Sequence, residues 1–453
     1  MPGPVLTMAA TLLFTLIAVQ TAPAAALSVA EIKQIVRDAV EKEKRAPGIV
    51  VGLIDRNGSQ VIAWGKFKLG AKEDVDGGTI FEIGSITKIF TSVLLQDMAD
   101  HGEVKLDDPI GKFLPASVKT PARKGREITL LHLATHTSGL PRLPFSFWYA
   151  LAYLDDPYAK FTVKDLYKFL SHYKLRRDIG AEFEYSNAGM QLLGHILSLK
   201  AGTNYESLVV NRICAPLKMD STRITLSADQ KPRFASGHDE TGKPVKNWNQ
   251  SNLPGDGALR SSVNDLLKFL SANLGLTQSS LSGALAAAQV PRHATDDPSE
   301  RVGLGWIIET NSNLIWHNGE TRGYSSYIAF NKSEGRGVVI LANAESNLDE
   351  LGEILVGVRQ QHWLARIDHQ IYNRYVGKYQ YSPKIFVAIS RDGDRLFSRM
   401  TGQDKLEIFP ESETEFFYRE IDEQITFTTN QTGVVTGMVL HQHGKDHSAP
   451  KLK

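Results

Sequence analysis

Three short constellations carry side chains that can do acyl-transfer chemistry. Ser85-Ile86-Thr87-Lys88 puts a hydroxyl and an ammonium three positions apart, ahead of a run in which Ile89, Phe90, Val93, Leu94 and Met98 recur at helical spacing. Residues three apart share a helix face, so the Lys88 nitrogen can reach the Ser85 oxygen. The helix N-terminus adds a positive dipole and a free N–H for a developing oxyanion. The spacing alone is common: Ser171…Lys174 and Ser448…Lys451 repeat it in this chain and read as solvated surface. Tyr185-Ser186-Asn187 precedes an apolar-periodic helix from Ala188 to Lys200. Beside a lysine ammonium a tyrosine loses its proton at modest cost and qualifies as a base. The same tripeptide also suits a helix-capping asparagine with a packed tyrosine. His317-Asn318-Gly319 closes the strand Leu314-Ile315-Trp316, and its glycine admits a substrate backbone near the strand edge. A strand histidine before a turn glycine is the structural alternative.

The elements that must position these groups follow from periodicity. Ile32, Ile35, Val36, Ala39 and Val40 give an amphipathic helix through about Lys44, and Ile49–Ile54 and Gln60–Phe67 flank an Asn57-Gly58 turn as a hairpin. Four more strands are expected at Gly303–Ile308, Asn313–His317, Tyr324–Phe330 and Gly337–Ala342, followed by a helix from about Leu348 to Ala365. Between them, Ile86 to Leu274 reads as mostly helical, with helix starts at Thr162…Asp165 and Ser262…Asp265. The fold class is therefore α+β, an antiparallel sheet flanked by helices and split by a helical insertion. From Tyr375 onward, short alternating runs such as Lys384–Ile389, Arg395–Met400 and Gln424–Thr428 indicate a separate small β-barrel or sandwich. The expected division is a leader at 1–26, a main domain at 27–366 and a β-domain at 372–453.

Taken together, the three motifs resemble the penicillin-recognising serine hydrolase superfamily, in the branch of class C β-lactamases, D-Ala-D-Ala peptidases and related esterases. Separations of 100 residues from Ser85 to Tyr185 and 132 from Tyr185 to His317 are similar to that branch. So are the flanks Phe81-Glu82-Ile83-Gly84, Leu106-Asp107-Asp108-Pro109 and His136-Thr137-Ser138-Gly139-Leu140. The resemblance implies the β-lactamase/transpeptidase-like fold over about Ile32 to Ala365. It implies Ser85 as nucleophile, Lys88 and Tyr185 as the proton-transfer pair, and Asn187 as a donor to the substrate acyl amide. The N–H groups of Ser85 and Glu320 become the oxyanion hole, with His317 and Gly319 on the substrate-binding strand. Two positions depart from the family. His317 replaces the lysine of efficient β-lactamases, so a fixed cation facing a substrate carboxylate becomes a titratable one. Glu320 stands where small residues are usual and brings a carboxylate to the cleft mouth.

Composition closes off other classes. The chain has 453 residues, 42 % hydrophobic and 22 % charged, with 51 Lys plus Arg against 50 Asp plus Glu, so it offers no cationic excess for nucleic acid. Cys214 is the single cysteine and can close neither an internal disulfide nor a Cys-rich metal site. His132 and His136 lack the glutamate of a zinc-protease helix, and His441, His443 and His447 lack an evident further ligand. Asp107-Asp108, Asp155-Asp156 and Asp296-Asp297 each precede proline and read as turns. No Gly-x-Ser-x-Gly elbow is present. No metal or cofactor is expected. The apolar run Met8–Val19, followed by Ala22-Pro23-Ala24 and Ala24-Ala25-Ala26, reads as an export signal, although no Lys or Arg precedes Lys33. The expected location is periplasmic or secreted, with membrane proximity if the segment stays uncleaved. The aromatic stretch Phe145, Phe147, Trp148, Tyr149, Tyr153 and Tyr158 offers a cleft wall or lid, or plain packing. The expected activity is a serine acyl hydrolase acting through a Ser85 acyl-enzyme on β-lactams or D-Ala-type peptidoglycan amides. A carboxylesterase of the same fold is the alternative, and a sensor that acylates without turnover is the non-enzymatic one.

Overall fold

The computed structural model describes residues 27–144, 156–359, 365, 367–421, 423–442 and 445–452. The proposed leader and most of the aromatic stretch, Phe145 to Tyr153, lie outside the described residues. The described chain forms two compact units, one within Ala26–Arg359 and one in the chain that follows.

The first unit is built on an eight-stranded antiparallel sheet. Its spatial order runs Gly58–Gly65, Gly48–Asp55, Arg336–Ala342, Tyr324–Asn331, Leu314–Thr321, Ile307–Glu309, Glu300–Val302 and His293–Ala294. The N-terminal hairpin thus pairs with a strand almost three hundred residues later, through Ile49 opposite Ala342 and Leu53 opposite Val338. Alternation sorts the side chains to two faces. Ile49 and Val51 meet the helices Val29–Glu41 and Asp349–Val356, whereas Val50 and Ile54 face the larger core of the inserted helices. Within that core the helix Thr87–Asp100 is buried from Thr87 through Met98, so its N-terminus is held rigidly. Helix starts at Thr162 and Ser262 are capped by their hydroxyls on the N–H groups of Asp165 and Asp265.

Two expected boundaries move. The helix after the sheet stops at Val356, because Gly357 adopts φ +86° and terminates it with a left-handed cap, well short of Ala365. The strand expected to end at His317 continues to Thr321, pairing Gly319 with Ser326 and Thr321 with Tyr324. Gly319 is therefore a strand residue and not a turn residue. Cys214 is buried beside the Thr222 carbonyl, and burial pushes its thiol up to about 12.

The second unit is an antiparallel meander of eight strands from Gly377–Ser382 to Lys445–Pro450. Its last strand returns to its first, with Leu452 N–H donating to the Lys378 carbonyl at 2.8 Å and Tyr379 bridging to Lys451, which closes a small barrel. Tyr379, Leu396, Phe416, Ile425 and Phe427 fill it. Two of its strands, Gly377–Ser382 and Lys445–Pro450, are additional to those read from the sequence. His441 is held between Thr426 and Asp446.

Candidate active site

Ser85 sits in a single tight turn, Gly84–Ile86, that leads from the short strand Ile80–Glu82 into the buried helix. Gly84 makes the turn possible with φ +48°, and a Cβ there would lie 2.6 Å from Glu320 N. Lys88 comes from the first turn of the helix and is fully buried. Its ammonium donates to Ser85 Oγ at 2.8 Å and to the Asp256 carbonyl at 2.7 Å. The Asp256 carbonyl is main chain, so it anchors the lysine against the Ser85 hydroxyl.

Tyr185 stands on the loop before the helix Asn187–Ala201, which is capped by Ser186 and not by Asn187. The Lys88 nitrogen lies 4.9 Å from the Tyr185 ring centroid, and the Arg142 guanidinium lies 5.2 Å from it. His136 packs against the same ring at 4.7 Å and accepts from Ser186 N–H at 3.1 Å, which locks the loop. Asn187, freed from capping, lines the cleft, and its Oδ1 is buried without a hydrogen-bond partner among the described residues.

The strand Leu314–Thr321 forms the opposite wall. A Cβ on Gly319 would fall 2.2 Å from the Ile83 carbonyl and 3.0 Å from Ser85 N, so the strand crosses directly over the nucleophile turn. Close approach is thus required here, but of the protein's own backbone. The crossing sets the Glu320 backbone beside Gly84, next to the nucleophile turn.

Ser85, Tyr185, Asn187, Gly319 and Glu320 line one cleft of about 680 Å³. Lys88 lies beneath it. His317 does not line it, and the expected role of His317 as a cation for a substrate carboxylate is corrected here. Strand alternation turns His317 and Gly319 inward and Asn318 and Glu320 outward, so His317 is 4 % exposed and its ring lies 6.1 Å from Tyr185. Burial, reinforced by the Lys88 charge, lowers its pKa to about 4. It is neutral wherever the enzyme is folded at ordinary pH. Glu320 is exposed and cannot support a His317 imidazolium from the opposite strand face. Partial desolvation against the cleft wall and the nearby Glu345 carboxylate raise its pKa, against the pull of Arg142.

A pH consequence follows. The unfolded chain takes up the His317 proton below about pH 6.5, whereas the folded chain resists until about 4. Stability is lost as pH falls through that window, by about 3 kcal/mol at most from this group. H317Q is expected to flatten the acid slope of the melting temperature between pH 6.5 and 4. An unchanged slope would show that another group sets it.

Sequence reasoning missed Asp256, Gln250 and Trp248, which also line the cleft. Pro254-Gly255-Asp256-Gly257 reads as a plain turn, and only the long-range fold brings it under Lys88. Tyr158, the described end of the aromatic stretch, lines the cleft against Trp248, with ring centroids 5.2 Å apart.

Residues 32–360 match the family described as Beta-lactamase, and residues 364–449 match a domain of unknown function, DUF3471. A beta-lactamase of Pseudomonas fluorescens is 27 % identical over 352 residues, covering 69 % of this chain and 94 % of its own. The D-alanyl-D-alanine-carboxypeptidase/endopeptidase AmpH of Escherichia coli is 28 % identical over 326 residues, 65 % of this chain and 79 % of its own. A penicillin-binding protein homologue from Pyrococcus abyssi superposes with a TM-score of 0.67 at 23 % identity, over 93 % of this chain and all of its own, which shows the fold. With the family match spanning most of its length, this chain belongs to the beta-lactamase family.

Proposed function

We propose that the chain is a serine acyl hydrolase that forms an ester on Ser85 and releases it to water. The observation that carries this is the 2.8 Å contact from a fully buried lysine to a serine oxygen lining the cleft. A hydroxyl in bulk solvent is a weak nucleophile, and an adjacent proton-transfer group activates it. Ser85 attacks the carbonyl, Tyr185 with Lys88 moves the proton to the leaving group, and the N–H groups of Ser85 and Glu320 take the oxyanion. Asn187 donates to the acyl amide. The names of the relatives favour β-lactams or D-Ala-type peptidoglycan amides as substrates.

One observation favours esters as a second reading. His317 offers no cation, and Glu320, Glu345 and Asp349 line the cleft against Arg142 and Arg322, so a free carboxylate on the leaving group meets more acids than bases. The apolar leader and a cell-wall substrate support an exported enzyme. Among the described residues no helix is long and apolar enough to cross a membrane. We place the boundary between hydrolase and β-domain at 366–372; the two family matches meet a few residues earlier, between 360 and 364.

The test is one panel: a chromogenic cephalosporin, an acyl-D-Ala-D-Ala peptide and a short-chain aryl ester, compared by kcat/KM. Steady turnover of at least one is expected, and the largest value names the leaving group. A product burst without turnover would support the sensor, and no adduct on Ser85 with any of them would remove the hydrolase reading.

A further inference from the structure

The antiparallel sheet of the first unit ends in two unequal edges. One is His293–Ala294, a pair of residues; the other is Gly58–Gly65, which runs for eight residues and pairs with Gly48–Asp55 alone. A long edge presents a row of free backbone donors and acceptors, and proteins commonly blunt it with a charge, a proline or a bulge. Residues 58–65, Gly-Ser-Gln-Val-Ile-Ala-Trp-Gly, hold neither charge nor proline, and their register against Gly48–Asp55 runs without a shift.

Which groups point outward follows from the end of the strand. Lys66 N–H donates inward to the Pro47 carbonyl at 2.7 Å, and the Gly65 carbonyl accepts from Val75 N–H on the outer side at 3.2 Å. Hydrogen-bonding direction alternates along a strand, so Ser59, Val61 and Ala63 aim both N–H and C=O away from the sheet. Among the described residues no further strand pairs with them. Beyond Gly65 the chain closes its own edge, through Phe67 N–H to the Glu73 carbonyl and a bridge from Lys66 to Asp74. The open stretch is short and uncharged. Its side chains are apolar and accessible: Val61 is 36 % exposed and Trp64 37 %, with the Arg37 guanidinium 5.0 Å from the indole centroid.

We propose that this edge is the docking surface for a second copy of the chain, the two Gly58–Gly65 strands pairing antiparallel about a twofold axis at Val61 so that the two sheets become one. The inference is independent of the hydrolase reading. Outward residues must face outward residues, and centring on Val61 sets Ser59 against Ala63 and Val61 against itself, which uses all three on both copies. Centring on Ile62 sets Ser59 against Gly65, whose carbonyl is already taken, and centring on Gln60 sets Ala63 against Asn57 of the turn. The strand is thus complementary to itself in one register. The axial pair is valine on valine, a favourable β-branched cross-strand contact. No charge stands within the paired span, and Lys66, which approaches Arg56 of the second copy, is already ion-paired with Asp74 at 2.6 Å.

The test measures the mass of the full chain in solution by analytical ultracentrifugation over a range of micromolar concentrations, for wild type, Val61→Lys, Val61→Pro and Val290→Lys. Wild type should be dimeric. Val61→Lys places like charges at the axis and should raise the dimer Kd by about tenfold or more. Val61→Pro removes an N–H that the monomer does not use, which an edge strand tolerates, and should weaken the dimer as much. Val290, 50 % exposed and three residues before the opposite edge strand, controls for added charge, and its lysine should leave the dimer intact. Oxidation reads the register. The Cα atoms of a hydrogen-bonded antiparallel pair lie about 5.5 Å apart, within disulfide reach, so Val61→Cys should cross-link two copies while Ser59→Cys, facing Ala63, should not. The native Cys214 is buried and does not compete. A wild-type monomer at every concentration, a dimer that survives both Val61 variants, or one lost equally in Val290→Lys overturns the proposal. Should Val61→Lys and Val61→Pro fail to fold, Val61→Cys decides: a protein that does not cross-link through that cysteine, or that links to a different polypeptide, overturns it as well.

Discussion

Ser85→Ala is expected to end acyl-enzyme formation, lowering kcat/KM for whichever substrate of the panel turns over by about 10⁴-fold or more. The magnitude follows from the absence of a substitute in the cleft. Ser325, Ser326 and Ser346 share the wall with Ser85, but the hydroxyls of Ser325 and Ser326 are engaged in structure, and the hydrogen bonds of Lys88 go to Ser85 and the Asp256 carbonyl. Ser326 Oγ donates to the Ile83 carbonyl at 2.9 Å, and Ser325 Oγ accepts from Ser346 N–H at 2.8 Å. Ser171, which also precedes a lysine by three residues, spends its hydroxyl on Lys119 N–H instead. Lys88→Ala should cost about 10²-fold or more, the scale of a lost proton-transfer group. The double variant should be no worse than Ser85→Ala alone, because residues that act as one unit are not additive. Intact-protein mass spectrometry with a fluorescent penicillin or a phosphonate checks the assignment, since one adduct on Ser85 is expected. An adduct mapped to Ser171 or Ser448 would overturn it.

How far the sequence reached is clear from where it stopped. The Asn57-Gly58 hairpin and the helix carrying Lys88 were legible because their signals are local, a turn pair and an apolar period. The same holds for the hydroxyl caps at Thr162 and Ser262. The closure of the sheet was legible only as a pattern of strands; that Ile49 pairs with Ala342 is a tertiary fact. His317 shows the limit best. Its type and place in the motif were visible, yet its charge state depends on which strand face is buried and on a lysine more than two hundred residues earlier. Its burial on the inward face reversed its reading. Asp256 failed for the opposite reason: in Pro-Gly-Asp-Gly nothing local separates a solvated turn acid from one buried beside Lys88. Charge and burial at a site are properties of the assembled neighbours, and neither periodicity nor spacing carries them.

Gly319→Ala is expected to be the most damaging single methyl group in the cleft, lowering acylation by about 10²-fold or more while costing about 1–3 kcal/mol of stability. The added Cβ would lie 2.2 Å from the Ile83 carbonyl, 2.5 Å from Ser326 Oγ and 3.0 Å from Ser85 N. Two of those three atoms are backbone of the turn that holds the nucleophile. Either the strand lifts or the turn is pushed back, and both movements part the N–H groups of Ser85 and Glu320 that are to bind one oxygen. Loss should therefore appear in kcat with KM little changed, because the oxyanion exists only after attack. Gly102→Ala is the control: it has φ +71° with nothing within 4 Å of the added Cβ, so it carries backbone strain but leaves the cleft alone. Comparable melting temperatures with very different rates would tie the effect to the crossing, whereas wild-type acylation in Gly319→Ala would show that the strand does not set the oxyanion geometry. Adding Ser326→Ala to Gly319→Ala should not restore the rate. It removes the hydroxyl contact, but the shortest contact is with the Ile83 carbonyl, a main-chain atom that no side-chain substitution takes away.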